Sequence, residues 1–528
     1  MNGRYLSVMN ETVRFDDQAA TVALLGDPAT HGGQAVRRID THGAIVFLAG
    51  DRAYKLKRAV RLPFFDFSTA DRRLRACREE LRLNRRTAPD IYLGLAAVAA
   101  LPDGRLVLTC EPTAEGGAPV DWVVVMARFP DDALLDGMAA AGALRPRHML
   151  DLAEAIAAFH EEAEPRPEAG GAADMADIAD VILQRLRAYP AIFPADRVAR
   201  FDRAVADAFQ RLSPTMDRRR DAGYVRHCHG DLHLRNIVLL DGGPVPFDCV
   251  EFDERYAVTD VLYDLAFLLM DLEHRRLRGL GNVLFNRYLE LTGDLAGLAL
   301  LPLFLALRAG IRAHLSATAA GEQAPEAAAA MRAEAAGYFD LALTCIQPGP
   351  AGLIAIGGLS GTGKTTLARS LAPDIGPVPG AVILRSDVLR KRLLGVEEET
   401  RLPAEGYSEA VTARVYGEME GRAGLALDSR HAVICDAVYA RPDQRRAIEG
   451  IARAAQLPFT GLWLVADQET QLSRVGVRDG DASDATADVV RRQAGFQLGP
   501  MTWEIIPAHG GPAEVAAIAR RFIHASAG

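Results

Sequence analysis

Eight consecutive residues, Gly358-Leu-Ser-Gly-Thr-Gly-Lys-Thr365, have the types and spacing of a phosphate cradle. The pattern is G-x-x-x-x-G-K-T. Glycines at 358, 361 and 363 accept backbone angles that other residues resist, so successive N–H groups can turn inward on a phosphate. Lys364 would reach the β- and γ-phosphates of a nucleotide, and the Thr365 hydroxyl would hold Mg²⁺. Ser360, Thr362 and Thr366 complete the set that faces the phosphates.

Such a loop works only between a strand and a helix. Residues 353–356 form a short apolar β-run in front of it, and residues 366–371 have helical spacing behind it. Strand and helix patterns keep alternating from there, with β-runs at 381–384, 432–436 and 459–465, which predicts an α/β domain with a parallel sheet. Asp436 closes one of those strands, where its carboxylate could reach Mg²⁺ through water. The front of the chain reads differently. A β-run at 44–48, a turn at 50–52 and an alternating strand at 53–57 place Lys55 and Lys57 on one face. Residues 70–86 then form a charged amphipathic helix carrying Glu79 and Glu80, and 106–109 and 122–126 are further strands. Beyond Asp131 the periodicity is helical, with apolar stripes at 149–159, 201–212, 300–314 and 324–343. A Pro/Gly-rich linker at 346–352 separates the two halves.

Composition bounds the function. A length of 528 residues exceeds a single core, and 49% hydrophobic with 24% charged residues is ordinary for a soluble globular chain. A net charge of −9 argues against general binding to nucleic acid or to an anionic membrane. The six cysteines (77, 110, 228, 249, 345 and 435) are scattered without a C-x-x-C pair, as in reduced thiols. The N-terminal residues lack an apolar signal core, and the greasiest run, 295–307, stops at Arg308, too short to span a bilayer. The expectation is a cytoplasmic protein acting on small molecules; the sequence specifies no oligomeric state.

A second motif, His229-Gly-Asp-Leu-His-Leu-Arg-Asn236, precedes an apolar run to 240, a turn at 241–243 and Val245-Pro-Phe-Asp248. It resembles the H-G-D-x-H-x-x-N catalytic loop of aminoglycoside and choline/homoserine-type phosphotransferases, whose fold is similar to that of protein kinases. The resemblance implies Asp231 as catalytic base and Asn236 and Asp248 as Mg²⁺ ligands. It also implies a small lobe in which a strand lysine, Lys55 or Lys57, holds the α/β-phosphates and pairs with a helix glutamate. Lys55 with Glu80 is favoured. His227, His229 and His233 lack the H-E-x-x-H spacing or a cysteine partner of a zinc site, so His229 and His233 are read as structural. Asp260 and Asp264 are read as ties between the following helix and the loop. The chain departs from protein kinases in lacking G-x-G-x-x-G, with Gly32-Gly33 the nearest approach.

Arg385-Ser-Asp-Val-Leu-Arg390 carries an S-D-x-x-R pattern that resembles P-loop kinases of hydroxyls, the polynucleotide 5′-kinase, zeta-toxin and gluconate-kinase group. There Asp387 would take the acceptor proton and Arg390 would bind substrate or phosphate. Residues 471–484 look like a small-kinase lid, whose Arg474 and Arg478 would close over the transferring phosphoryl group. As a whole the chain resembles a bacterial fusion of an aminoglycoside-phosphotransferase-like domain with a zeta-toxin-like P-loop kinase. The expected architecture is an α+β two-lobed protein-kinase-like domain over 1–345, its small lobe ending near 130, then the 346–352 linker and an α/β P-loop domain over 353–528. Two ATP- and Mg²⁺-dependent sites would each phosphorylate a small-molecule hydroxyl. Two other readings stay open: the P-loop domain as an ATP-driven switch for one front kinase, and the front domain as an aminoglycoside-resistance kinase.

Overall fold

The computed structural model describes residues 13–14, 17–41, 43–62, 65–110, 117–321, 323–347, 349–476 and 482–526. The chain falls into two compact units, residues 1–175 with 216–271 and residues 176–215 with 272–528.

The first unit is built on a six-stranded antiparallel sheet. Its order is Val36–Asp40, Ala44–Ala49, Arg52–Lys57, Ala118–Ala127, Tyr92–Ala100, Leu106–Thr109. Strand alternation sends Ile45, Phe47 and Leu56 to one face, against Leu25 of the helix Ala19–Gly26. Leu48, Ala53 and Val124 go to the other face, against Cys77 of the helix Ala70–Asn84. Lys55 and Lys57 share that second face with Ala53, so the same alternation that builds the core also turns both lysines toward the helix. Thr69 caps this helix by accepting the Arg72 N–H at 3.4 Å. Arg73, Cys77, Glu80, Leu83 and Asn84 are its buried residues, three or four apart along one face apart from the adjacent pair 83 and 84.

A hairpin positions the second motif. Strands Ile237–Leu240 and Gly243–Pro246 pair antiparallel from Ile237↔Pro246 to Leu240↔Gly243. Its two-residue turn, Asp241-Gly242, has φ of 44° and 87°, the positive angles such a turn demands. The register brings the Asn236 carbonyl onto the Phe247 N–H at 2.9 Å, so Asn236 and Asp248 stand at the open end of one hairpin. Below it, Val225–His227 pairs with Val258–Asp260, and Asp260 caps the buried helix Val261–His274 through the Leu262 N–H at 2.9 Å.

In the second unit five strands run parallel, in the order Val382–Arg385, Val433–Asp436, Leu353–Gly358, Phe459–Val465, Glu504–Pro507. Ile354, Ile356, Ile383, Ile434 and Leu462 fill a core closed by Leu367 and Leu371 of the helix Lys364–Leu371 and by Ala519 of the helix Pro512–Ser526. Unbroken apolar runs are what a sheet covered on both faces requires. Ile356 and Arg385 both stand level with Asp436, so the phosphate loop, Asp436 and Asp387 emerge at the same carboxyl edge, where open α/β sheets bind ligands. The helices Arg278–Thr292, Leu301–Ala320 and Pro325–Cys345 belong to this unit, and the compact units therefore do not divide at 346–352. The apolar run expected to end at Arg308 continues to Ala320, with Arg308 itself buried. Residues 296–320 are, among the described residues, the one helix long and apolar enough to cross a membrane, and 72% of its most apolar stretch is packed inside the protein.

Candidate functional site

In the first unit the side chains meet around Lys55. Its Nζ lies 2.6 Å from Glu80 Oε1 and 2.6 Å from Asp248 Oδ1. Lys57 Nζ lies 2.7 Å from Glu80 Oε2 and 2.5 Å from Glu251 Oε1. Exposure separates the two lysines. Lys55 keeps 15% of its side chain open and shares a partner, Asp248, that is 41% exposed, whereas Lys57 is sealed at 2% between two carboxylates. Burial pushes the Glu80 carboxyl up, but Lys55 and Lys57 outweigh it and hold it at about 2. Burial also opposes both ammonium charges, and Asp248 with Glu80, or Glu251 with Glu80, overcomes it and raises each lysine. Glu251 moves the other way: its burial raises it despite Lys57.

The loop carrying Asp231 is held from several sides. Asn236 Nδ2 donates to the Asp231 carbonyl at 3.0 Å and to Asp231 Oδ2 at 2.8 Å, and His233 Nε2 is 3.4 Å from the same oxygen. Asp264 accepts the N–H groups of His229 and Gly230 at 3.1 and 2.8 Å, with His160 Nε2 at 3.2 Å on the same carboxylate. His229 donates from Nε2 to the Phe247 carbonyl at 3.0 Å and accepts the Asp231 N–H at Nδ1 at 3.4 Å. Its burial lowers its pKa, so it serves as a neutral strut. A Cβ at Gly230, where φ is 81°, would meet the Tyr256 carbonyl at 2.9 Å, which explains the glycine of the motif. His160, Cys228 and Asp264 have ligand atoms within 4.8 Å of one another, but both Asp264 oxygens already serve the loop amides.

Two residues that the motif reading passed over set the place of Asp248. Asn84, one helical turn beyond Glu80, accepts the Cys249 N–H at 2.9 Å and donates to the Glu80 carbonyl at 3.0 Å. The Tyr92 hydroxyl accepts the Asp248 N–H at 3.2 Å. Asp248 itself has φ of 60°, a left-handed conformation uncommon outside glycine, and these bonds hold it there. An asparagine four residues after Glu80 on the apolar face of a charged helix was the available signal.

In the second unit Gly358, Gly361 and Gly363 have φ of 145°, 83° and 94°. A Cβ at Gly361 would lie 2.6 Å from the Gln471 carbonyl, so the loop requires the bare backbone. Thr365 Oγ1 donates to Asp436 Oδ2 at 2.6 Å, which joins the two groups expected to share Mg²⁺. Hydroxyl and carboxylate oxygens are the donor set that ion prefers. Lys364 Nζ donates to the Leu359 carbonyl at 3.2 Å, and Thr362 Oγ1 to the same carbonyl at 2.8 Å. The Ser360 N–H donates to Gln493 Oε1 at 2.7 Å, a partner the sequence did not suggest. Thr366 is exposed on the first turn of the helix.

Asp387 opens the helix Ser386–Leu393 directly beyond the strand Val382–Arg385. Burial and then the charge of Asp436 raise its pKa, against the pull of Lys364, Arg385 and a hydrogen bond from Ser483. Arg474 reaches the loop, donating to the Thr362 carbonyl at 3.3 Å and to the Gly510 carbonyl at 3.4 Å. Arg478 lies outside the described residues. Arg390 is buried and engaged within the protein: it donates to the Gly406 carbonyl at 2.9 Å and Thr412 Oγ1 at 3.3 Å, and lies 4.8 Å over the Tyr407 ring. Its neighbour Lys391, also missed, is 2.8 Å from Asp484 Oδ1. Asp484 accepts in addition the Leu402 N–H at 2.9 Å and the Tyr407 hydroxyl at 2.6 Å, tying residues 391, 402 and 407 to the segment that follows 481.

Comparison with known proteins matches both halves. The model of the phosphotransferase enzyme family covers residues 48–301, and a model described as an AAA domain covers residues 353–497. An uncharacterized protein of Mycobacterium tuberculosis is 33% identical over 473 residues, which is 87% of this chain and 90% of that protein, and a Mycobacterium bovis protein matches equally. Among solved structures, a choline/ethanolamine kinase family protein from Mesorhizobium loti is 16% identical with a TM-score of 0.36, over 62% of this chain and 98% of that one. A gluconokinase from Sinorhizobium meliloti is 16% identical with a TM-score of 0.25, over 33% of this chain and 95% of that one.

Proposed function

We infer that this chain, which belongs to the same family as its mycobacterial relatives and whose own halves match the phosphotransferase enzyme family and an AAA domain, carries two sites of phosphoryl transfer to small-molecule hydroxyls. Mg·ATP, when bound, supplies the phosphoryl group and the divalent charge that neutralises it. The rest falls to this chain's own residues. In the first unit Asp231 aims the acceptor hydroxyl and takes its proton, Lys55 held by Glu80 faces the α/β-phosphates, and Asn236 and Asp248 offer oxygens to the metal. In the second unit Lys364 and the loop amides hold the phosphates, Thr365 and Asp436 hold the metal, Asp387 takes the acceptor proton, and Arg474 meets the charge that develops on the transferred group.

The observation that carries this reading is that each unit holds its own set of cation, carboxylate and oxygen ligands. Lys55 bridges Glu80 and Asp248 in one, and Thr365 bonds Asp436 beside Lys364 in the other. A further carboxylate at each site, Asp231 or Asp387, supports an alcohol acceptor. The net charge of −9 supports small molecules over nucleic acid or anionic membrane, and six free cysteines, five of them buried, suit a reducing compartment such as the cytosol.

The test is transfer of labelled γ-phosphate from ATP into a small-molecule extract by the full chain, Asp231→Asn, Asp387→Asn and the double variant. Each single variant should lose its own product by about 10²–10⁴-fold while still binding Mg·ATP. Products that persist in the double variant would remove both carboxylates from the chemistry. Loss of every product in Asp231→Asn, with Asp387→Asn changing only the rate, would favour the ATP-driven switch.

A further inference from the structure

The sheet of the second unit ends on one side at the strand Val382–Arg385, and Asp387 follows two residues beyond its end. An edge strand presents unpaired backbone donors and acceptors. Here side chains from an earlier helix take the first of them, at and just before the start of the strand. Asn286 Oδ1 accepts the Ile383 N–H at 2.7 Å, and Asn286 Nδ2 donates to the Ala381 carbonyl at 3.2 Å. A primary amide paired to residues two apart imitates the bonding of a neighbouring strand. Asn282, one turn earlier on the helix Arg278–Thr292, donates to the carbonyls of Pro379 at 3.3 Å and Ala381 at 3.1 Å. The two asparagines also bond each other, Asn286 Nδ2 lying 3.1 Å from Asn282 Oδ1, and both are buried.

The far end of the same helix is fixed to the segment that carries Asp387. Arg392, from the helix Ser386–Leu393, donates to the carbonyls of Glu290 and Leu291, and Arg287 pairs with Glu398. Cationic donors suit the last turn of a helix, where carbonyls are left unpaired. One helix therefore holds the strand before Asp387 and the helix after it. That helix lies within residues 48–301, the part of the chain matched by the phosphotransferase family, and not within the P-loop match.

We propose that Asn286, assisted by Asn282, is a positioning residue of the P-loop site: the phosphotransferase-family half of the chain sets the register of the edge strand and through it the place of Asp387. This rests on the reading of Asp387 as the acceptor base. An apolar side chain at 286 would serve packing equally well, but only a paired amide fixes the strand along its own length. Among the described residues the strand has a neighbouring strand on one side only, Val433–Asp436, and on its other side the amide bonds the Ile383 N–H and the Ala381 carbonyl. A displacement of about 1 Å at a reacting group is enough to cost roughly 10²-fold in rate.

The experiment uses the full chain with the first site silenced by Asp248→Ala, and compares native Asn286 with Asn286→Leu and the milder Asn286→Ser. Calorimetry with Mg·ATP reads binding at the P-loop site, and labelled transfer into a small-molecule extract reads turnover. The expected result is a split: one nucleotide per chain with affinity within about threefold of native, and turnover per bound nucleotide reduced at least tenfold in Asn286→Leu and less in Asn286→Ser. Hydrogen exchange at the Ile383 amide should accelerate in the same order. Turnover within twofold of native in both variants would overturn the proposal, as would loss of nucleotide binding and turnover together in Asn286→Ser, which would make the asparagine a fold element only. A P-loop site whose product does not depend on Asp387 would instead overturn the reading beneath it.

Discussion

Lys55 and Lys57 lie on one strand, touch the same glutamate and should nevertheless fail in different ways. Lys55→Met removes the ammonium that stands between the exposed Asp248 and the buried Glu80 Oε1; it should weaken nucleotide binding in the first unit about tenfold or more and lower the urea midpoint less than Lys57→Met does, because only one buried carboxylate loses a partner. Lys57→Met strands Glu251 and half of Glu80 in the interior, a loss of about 3–5 kcal/mol of stability for a broken buried pair. Calorimetry and urea melts on the two variants read the difference, and the inverse pattern would assign the nucleotide to Lys57. Glu80 adds a pH signature. Its folded value of about 2 lies below its ordinary 4.5, so its contribution is complete above pH 4.5 and is lost as the pH falls from there toward 2. Glu80→Gln should remove that part of the acid limb from a plot of urea midpoint against pH; an unchanged limb would mean that the lysines do not hold the carboxylate charged.

The helix Ala70–Asn84 reaches the loop that carries Asp248 through the side chain of Asn84. Asn84→Ala leaves the Cys249 N–H without its acceptor, a loss of about 1–3 kcal/mol, and frees Asp248 from its left-handed conformation. Mg·ATP affinity in the first unit should fall roughly tenfold, with the P-loop site unaffected; equal affinity in the variant and the native chain would show that Tyr92 suffices. Such ties leave only a faint trace in the sequence, a polar residue on an apolar helix face, because the partner of that residue carries no pattern of its own. What was legible had a period or a fixed spacing. The parallel strands 353–358, 382–385, 433–436 and 459–465 are continuous apolar runs, and the turn Asp241-Gly242 follows from its residues alone. The strand Tyr92–Ala100 was missed because Gly94 and its alanines have little preference for strand, and pairing with Ala118–Ala127 decides its conformation. Glu504–Pro507 was missed for its brevity, and it is a strand only because Phe459–Val465 lies beside it.

Across the whole chain, the linker at 346–352 marks a change of sequence pattern and not a boundary of packing. If a protease site replaces residues 348–350 in the full chain, the two cut pieces should elute together under native conditions, because residues 272–345 and 353–528 share one compact unit. Two separate peaks would show that the covalent link, and not the packing, keeps them together. The asparagine clamp also imposes an order on biosynthesis. Asn286 leaves the ribosome 97 residues before the Ile383 amide it will pair with. At about 5–20 residues per second that delay is roughly 5–20 s. Over that interval the nascent chain holds a helix whose inner face is shaped for a strand not yet translated, beside the apolar stretch 296–320. The phosphotransferase half is thus synthesised first yet completed last, and a chain truncated by a stop codon between 301 and 380 would retain the 229–236 loop while leaving that face open to chaperones and proteases.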